Sequence, residues 1–224
     1  MTFIRNEAGL LSPHTASRPA ATGLRRFAAP ASKPGSIPAA PGERCELCGE
    51  ILRDAHAHMV DPKNRSIACA CTACALLFTR SAGRYRTVPD RVRHDPRTPL
   101  TDAEWAELRI PVAIAFFFVN SALGQVVASY PSPAGVTECE LDLAAWDRLA
   151  GTHPLLAALE PDVEAILAVR GQPSETFLIP IDACYSLAGA LRLNWRGFDG
   201  GAEVRSILTS FLADLRRRAR TLEA

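Results

Sequence analysis

Cys45-Glu46-Leu47-Cys48, a 22-residue interval, and then Cys71-Thr72-Ala73-Cys74, with Cys69 two positions before the second pair, gather five of the chain's seven cysteines into thirty residues. A Cys-x-x-Cys turn lets two thiolates hold one ion, and two such turns supply the tetrahedral four-sulfur shell that zinc prefers. Cys45, Cys48, Cys71 and Cys74 are therefore the expected ligands. Cys69 is surplus. On a strand it shares a face with Cys71, so it either replaces one ligand or packs as a small buried apolar residue. His56 and His58 share a strand face between the two pairs and would enter the shell only if a cysteine were excluded; exposed strand histidines are the plainer reading. Four thiolates also hold iron, as in a one-iron electron carrier. Spacing alone leaves zinc and iron both open.

Between the pairs, His56 to Val60 and Ser66 to Cys71 read as two short strands around the turn Asp61-Pro62-Lys63-Asn64, where proline presets φ and asparagine tolerates a left-handed backbone. Two knuckles joined by a hairpin is the layout of a zinc ribbon or rubredoxin-like module, expected over residues 43–79. A unit this small lacks a core of its own, and a structural metal supplies on the order of 10 kcal/mol towards folding it.

Working outward, residues 1–42 are rich in Ala, Pro, Ser and Arg without helical or strand periodicity, which predicts a disordered tail. Residues 80–99 carry Arg80, Arg84, Arg86, Arg91, Arg93 and Arg97 with few apolar positions, which reads as an extended solvated linker. Asp90 and Asp95 interrupt it and Tyr85 is its one aromatic residue, a poor phosphate track. Residues 100–220 read as an α+β domain. Thr101 and Glu104 form a capping box; Ile110 to Val119 and Gln125 to Tyr130 form a hairpin that ends at Pro131-Ser-Pro-Ala-Gly135. Asp142 caps a helix, and a short helical turn follows at Pro154. Val163 to Val169 and Thr176 to Ile181 make a second strand pair, after which Asp182 is expected to cap a helix and Val204 to Leu215 form the last one. The expected order is ββαββαα, a mostly antiparallel sheet in two layers with helices on one face.

Composition narrows the function. The 48% of apolar residues suffice for a packed core, and 25 basic against 24 acidic residues leave no overall field to draw in nucleic acid or an anionic membrane. The longest apolar run, Ile110 to Val119, is too short to span a bilayer and no signal core precedes it, so a cytoplasmic protein is expected, where thiols stay reduced and bind metal. No catalytic constellation is evident. The His-x-Glu and Pro-Cys-x-x-Cys of zinc deaminases, the βαβ setting of a thioredoxin-like site and the glycine-rich nucleotide cradles are all missing. Cys139 and Cys184, His94 and His153, and Ser132 and Ser186 read as structural, without an evident partner for either histidine, and Asp162, Glu164 and Glu175 as lining a surface groove or, equally, as a solvated strand edge.

The phrases Cys45-Glu-Leu-Cys48-Gly49, Cys69-Ala-Cys71-Thr-Ala-Cys74-Ala-Leu-Leu-Phe78, Arg109-Ile-Pro-Val112, Tyr130-Pro-Ser-Pro-Ala-Gly135 and Trp195-Arg-Gly197 resemble a bacterial family of unassigned function, best represented in actinobacteria. Its members tend to be encoded beside uptake NiFe-hydrogenase and hydrogenase-maturation genes. The resemblance spans about residues 44–217. It implies a non-enzymatic accessory or assembly factor that contacts a hydrogenase subunit or maturation factor, and it supplies no catalytic residues. The alternative it implies is a rubredoxin-type iron carrier in the same system, although the second knuckle lacks Cys-Pro-x-Cys-Gly. A nucleic-acid-binding ribbon is the third reading.

Overall fold

A computed structural model describes residues 42–78, 83–197 and 200–222; the expected tail lies outside them. The first element is the hairpin of β1 (Ala57–Asp61) and β2 (Ser66–Ala70), in antiparallel register from Ala57 opposite Ala70 to Asp61 opposite Ser66. Its turn is held by Asp61, which is 2% exposed. Oδ1 of Asp61 accepts from the backbone N–H groups of Lys63 and Asn64 at 3.2 and 3.3 Å, and Oδ2 accepts from Asn64 Nδ2 at 2.8 Å and Arg84 Nε at 2.6 Å. Arg65 closes the turn in the left-handed region, φ 52°. A third short strand, β3 (Arg86–Thr87), pairs with β1 to complete a small sheet ordered β2-β1-β3.

The large sheet has seven strands, β4 (Arg93–His94), β5 (Ile114–Asn120), β6 (Gln125–Ser132), β7 (Gly135–Cys139), β8 (Glu164–Val169), β9 (Glu175–Pro180) and β10 (Arg220–Thr221), in the order β10-β4-β9-β8-β5-β6-β7. Every pairing is antiparallel except β10 with β4. Six helices accompany the two sheets among the described residues: α1 (Thr72–Phe78), α2 (Asp102–Glu107), α3 (Leu143–Thr152), α4 (Pro154–Ala157), α5 (Ile181–Asn194) and α6 (Gly201–Arg218). The Thr101–Glu104 capping box and the Asp142 cap, whose Oδ1 accepts from Ala145 N–H at 2.9 Å, both form as the sequence predicts.

The α+β class stands, but the two-layer arrangement gives way to three layers. Alternate residues of each central strand enter different cores. Phe117, Ile166 and Leu178 pack with Trp105 of α2, Trp146 and Leu149 of α3 and Leu155 of α4. Phe116, Phe118, Leu167, Phe177 and Ile179 pack instead with Cys184 of α5 and Leu215 of α6. Near-continuous apolar runs such as Ile114-Ala-Phe-Phe-Phe-Val119 mark a sheet covered on both faces. Val60 of β1 belongs to the second core, so the hairpin packs on the α5–α6 side.

Three further expectations change. β7 is an additional strand: β6 continues through Pro131 and Ser132, and the chain reverses at Pro133-Ala134 into Gly135 with φ 110°. Pro131 lies beyond the last β5 pair, Phe116 with Ser129, where a missing N–H is tolerated. Asp182 does not cap α5, which begins at Ile181 with Pro180 in the cap position; its carboxylate lies 2.6 Å from His58 Nδ1. The arginine-rich stretch expected as a solvated linker carries β3 into the small sheet and β4 into the large one.

That crossing segment is fastened by arginines to carboxylates buried at the start of β8. Arg86 donates to Glu160 Oε1 at 2.8 Å, to the Pro161 carbonyl at 2.7 Å and to Asp162 Oδ2 at 3.2 Å. Arg91 grips Glu164 with a two-pronged guanidinium, Nε to Oε1 and Nη2 to Oε2, and Glu160 N–H adds a third bond to Oε2 at 3.0 Å. Asp162 and Glu164 are 4% and 0% exposed, which replaces the expected solvated edge. Glu175 is partly covered and accepts from Arg216 Nε at 2.8 Å.

Removing one partner of a buried pair costs about 3–5 kcal/mol. Because Arg91 is itself partly exposed and Glu160 N–H still serves Glu164, Arg91→Ala is expected to destabilise at the low end of that range, read from the denaturant midpoint. The hydrogen bond from Arg84 holds the Asp61 carboxyl below its ordinary range, and that from Arg97 does the same for Asp95. Their stabilisation is complete above the unfolded-state value of about 3.9 and is lost as pH falls through the depressed native values. An acid titration followed by circular dichroism should show the transition at higher pH in Arg84→Ala.

Candidate metal centre

The first knuckle is built by backbone bonds around Cys45. Its N–H donates to the Glu50 carbonyl at 2.8 Å, its carbonyl accepts from Gly49 N–H at 2.8 Å, and Arg44 pairs across to Ile51 in an isolated bridge. Gly49 takes φ 80°, the left-handed conformation that lets the chain turn directly after Cys48. The second knuckle is the entry to α1. Cys71 precedes the helix, Cys74 lies in its first turn, and Cys74 N–H points at Cys71 Sγ at 3.4 Å. Glu46 N–H donates to the Cys69 carbonyl at 2.9 Å and Cys69 N–H to Glu46 Oε1 at 2.8 Å, locking the first knuckle against β2.

These turns bring Cys45, Cys48, Cys71 and Cys74 together, with all four sulfurs within 4.8 Å of one another. Cys48 Sγ and Cys71 Sγ are 3.8 Å apart. A tetrahedral shell with metal–sulfur bonds of about 2.3 Å has sulfurs about 3.8 Å apart, so the donor set fits one such ion. Cys45 and Cys74 are buried, Cys71 is half-buried and Cys48 is exposed. Met59, Ala70 and Ala75 pack behind the sulfurs as a small core. The four residues can thus hold a metal, and the geometry suits zinc and iron alike.

The electrostatics make the same point. Burial raises the Cys45 thiol, but N–H groups of Cys71, Leu47 and Cys48 outweigh that and bring it down to about 6. Burial, then the thiols of Cys48, Cys71 and Cys45, push Cys74 up to about 12. For Cys48 the backbone at Glu50 favours ionisation, yet the balance with its neighbouring thiols and burial raises it. Negative charge placed on one sulfur opposes charge on the next. A cation is what allows all four to ionise.

Cys69 stands outside this set. It faces His58 across the hairpin, and its sulfur groups with His56 and His58. The histidines are not exposed strand residues: the side chains of His56 and His58 are 7% and 28% accessible. The sequence signal was present, since positions 56, 58 and 69 share one face of the hairpin, but β2 ends at Ala70 and Cys71 leaves that face. Elsewhere, Cys184 is core as expected. His94 stacks on Phe177 with ring centroids 4.7 Å apart. His153, expected to lack a partner, lies 2.8 Å from Glu104 Oε1 and 3.2 Å from the Thr98 carbonyl. Arg84, Arg86, Arg91 and Arg97 are paired with Asp61, Glu160 and Asp162, Glu164, and Asp95, so those charges are committed internally. Arg80 lies outside the described residues.

Metal binding to the four sulfurs must displace the protons that remain on them. At neutral pH, zinc added to the metal-free chain is expected to release at least two protons, one each from Cys48 and Cys74, recorded with a pH indicator in weak buffer. The apparent affinity should rise with pH for the same reason.

None of the helices among the described residues is long and apolar enough to cross a membrane. Comparison with curated proteins and with solved structures finds no match. One protein family does match, over residues 44–219, a span that takes in both knuckles, all the described helices and every strand except β10. The chain belongs to that family, described as "Family of unknown function (DUF5947)".

Proposed function

We propose that this chain is a metal-binding accessory protein and not an enzyme. Cys45, Cys48, Cys71 and Cys74 hold zinc as the clasp of a zinc-ribbon-like module, and the rest of the chain presents that module to a protein partner in the cytoplasm. The convergence of four thiols on two short turns carries the reading. A partner-binding role is supported by the helix that the second knuckle starts: Leu76, Leu77 and Phe78 of α1 are 76%, 64% and 46% exposed, and Ile51 beside the first knuckle is 58% exposed. Clustered apolar side chains left in water commonly mark a contact surface. The motifs quoted above, through the family they resemble, point to assembly or maturation of a NiFe-hydrogenase as the system. Near-zero net charge and arginines engaged with internal carboxylates weigh against nucleic acid.

One observation favours a rubredoxin-type iron carrier as the second reading. Cys48 is the exposed member of the set, and a solvent-facing ligand gives electrons a short way out.

Elemental analysis and an absorption spectrum of the full chain from metal-replete cells separate the two. Zinc without iron in a colourless protein, with one equivalent lost in Cys48→Ser, supports the clasp; a red protein with a reversible one-electron couple replaces it with the carrier. Co-purification with hydrogenase subunits that is abolished in Leu76→Asp with zinc content unchanged supports the accessory role. Hydrogenase activity that is unaffected by deleting the gene would overturn it.

A further inference from the structure

The face of the β1–β2 hairpin opposite the small core carries a second set of metal-type donors. His58 and Cys69 are directly opposed in the register, and His56, just before β1, brings its ring centroid to 4.8 Å from that of His58. One donor atom from each of the three lies within 4.8 Å of the other two.

The rings are held as metal-bound histidines are held. His58 Nδ1 lies 2.6 Å from Asp182 Oδ2 in the first turn of α5, and His56 Nδ1 lies 2.9 Å from the Arg53 carbonyl. A carboxylate and a carbonyl only accept, so both rings donate from Nδ1, and each ring in its neutral form keeps an Nε2 lone pair. A carboxylate or carbonyl on the far nitrogen is the recurrent outer partner of a histidine ligand. His56 Nε2 is moreover buried with no hydrogen-bond partner, in a side chain 93% covered; Glu43 Oε2, at 3.5 Å, does not satisfy it. A buried acceptor left open in this way calls for something to fill it.

We infer that His56 Nε2, His58 Nε2 and Cys69 Sγ form a second divalent-metal site, distinct from the four-thiolate shell and with an open coordination position. Two imidazoles and a thiolate are a borderline-soft set that suits zinc. Glu43, Glu46 and Asp182 surround Cys69 with negative charge, which favours a cation there. Four protein sulfurs close a tetrahedral shell, whereas three donors leave a place for water or an outside ligand. The second centre is thus the exchangeable one, and it is independent of which metal the four cysteines hold.

Titration of the full metal-free chain with cobalt(II), read by bound equivalents after desalting and by the visible spectrum, tests this. The wild type is expected to bind one equivalent more than Cys69→Ser or His58→Ala, and this equivalent persists in Cys48→Ser. Asp182→Asn, which removes no ligand, should keep the second ion with affinity lowered about 10–100-fold. Imidazole should perturb the cobalt spectrum of the wild type and leave that of Cys69→Ser unchanged. Equal stoichiometry in the wild type, Cys69→Ser and His58→Ala overturns the site, as does a single ion lost in both Cys48→Ser and Cys69→Ser. If Cys48→Ser and the wild type bind equally while Cys69→Ser binds one fewer, the second site stands and the four-thiolate reading fails. Should Cys69→Ser not fold, His58→Ala and Asp182→Asn decide the outcome.

Discussion

A carboxylate with no exposed surface has to be met by positive charge, and Glu164 at the first position of β8 is such a group. Arg91 meets it with both prongs of its guanidinium, a geometry that fixes direction as well as distance. The path of the chain before the large sheet follows from this. With Arg91 turned towards Glu164, Val92 is buried in the α5–α6 core and Arg93-His94 is aligned along β9 as β4. Arg86, five residues earlier, is aimed at Glu160 and Asp162, which sets β3 beside β1. Asp162 in turn accepts from Ser121 N–H and Oγ at 2.8 and 2.6 Å, tying in the loop after β5. The hairpin bearing the metal donors is thereby fixed against the large sheet by charge pairing and by the packing of Val60 together.

The metal donors depend on a related constraint with the opposite sign. Backbone N–H groups around Cys45 create a pocket for negative charge, and one thiolate uses it; Cys74 is held back by burial and its neighbouring thiols, and Cys48 is raised as well. An ion relieves this opposition and converts four competing groups into one cooperative shell. The knuckles supply the positions through backbone geometry, with Gly49 in the left-handed region and Cys74 on the first turn of α1. The sulfurs are therefore placed by turns that do not need side-chain packing, which suits a module with few core residues.

Local features were legible in the sequence. The two Cys-x-x-Cys pairs, the Asp61–Asn64 turn, the Thr101–Glu104 box and the Asp142 cap each involve residues a few positions apart, and each forms. The three-layer packing was legible too, in the unbroken apolar run of β5. What could not be read depends on partners distant in sequence. Arg86 and Arg91 look like solvated charges until Asp162 and Glu164 are brought to them across more than seventy residues. Asp182 has the look of a helix cap and instead serves His58 from the far side of the chain. Pro131 signals a turn in isolation, yet sits in a strand because the β5–β6 pairing has already stopped at Phe116 and Ser129.

The hairpin has a consequence for assembly. Strand period sends Met59 and Ala70 to the sulfur side, and His58 and Cys69 to the side of α5. A slip of β2 by one residue against β1 would exchange these faces, placing Ala70 opposite His58 and turning Cys69 away from both histidines. The first knuckle would travel with β2, because Glu46 is bonded to Cys69 through both its backbone N–H and its side chain. A misaligned hairpin is thus unable to bring Cys69 to His56 and His58. A metal at the three-donor site inferred above would act as a check on strand alignment, because only the correctly paired hairpin assembles that site.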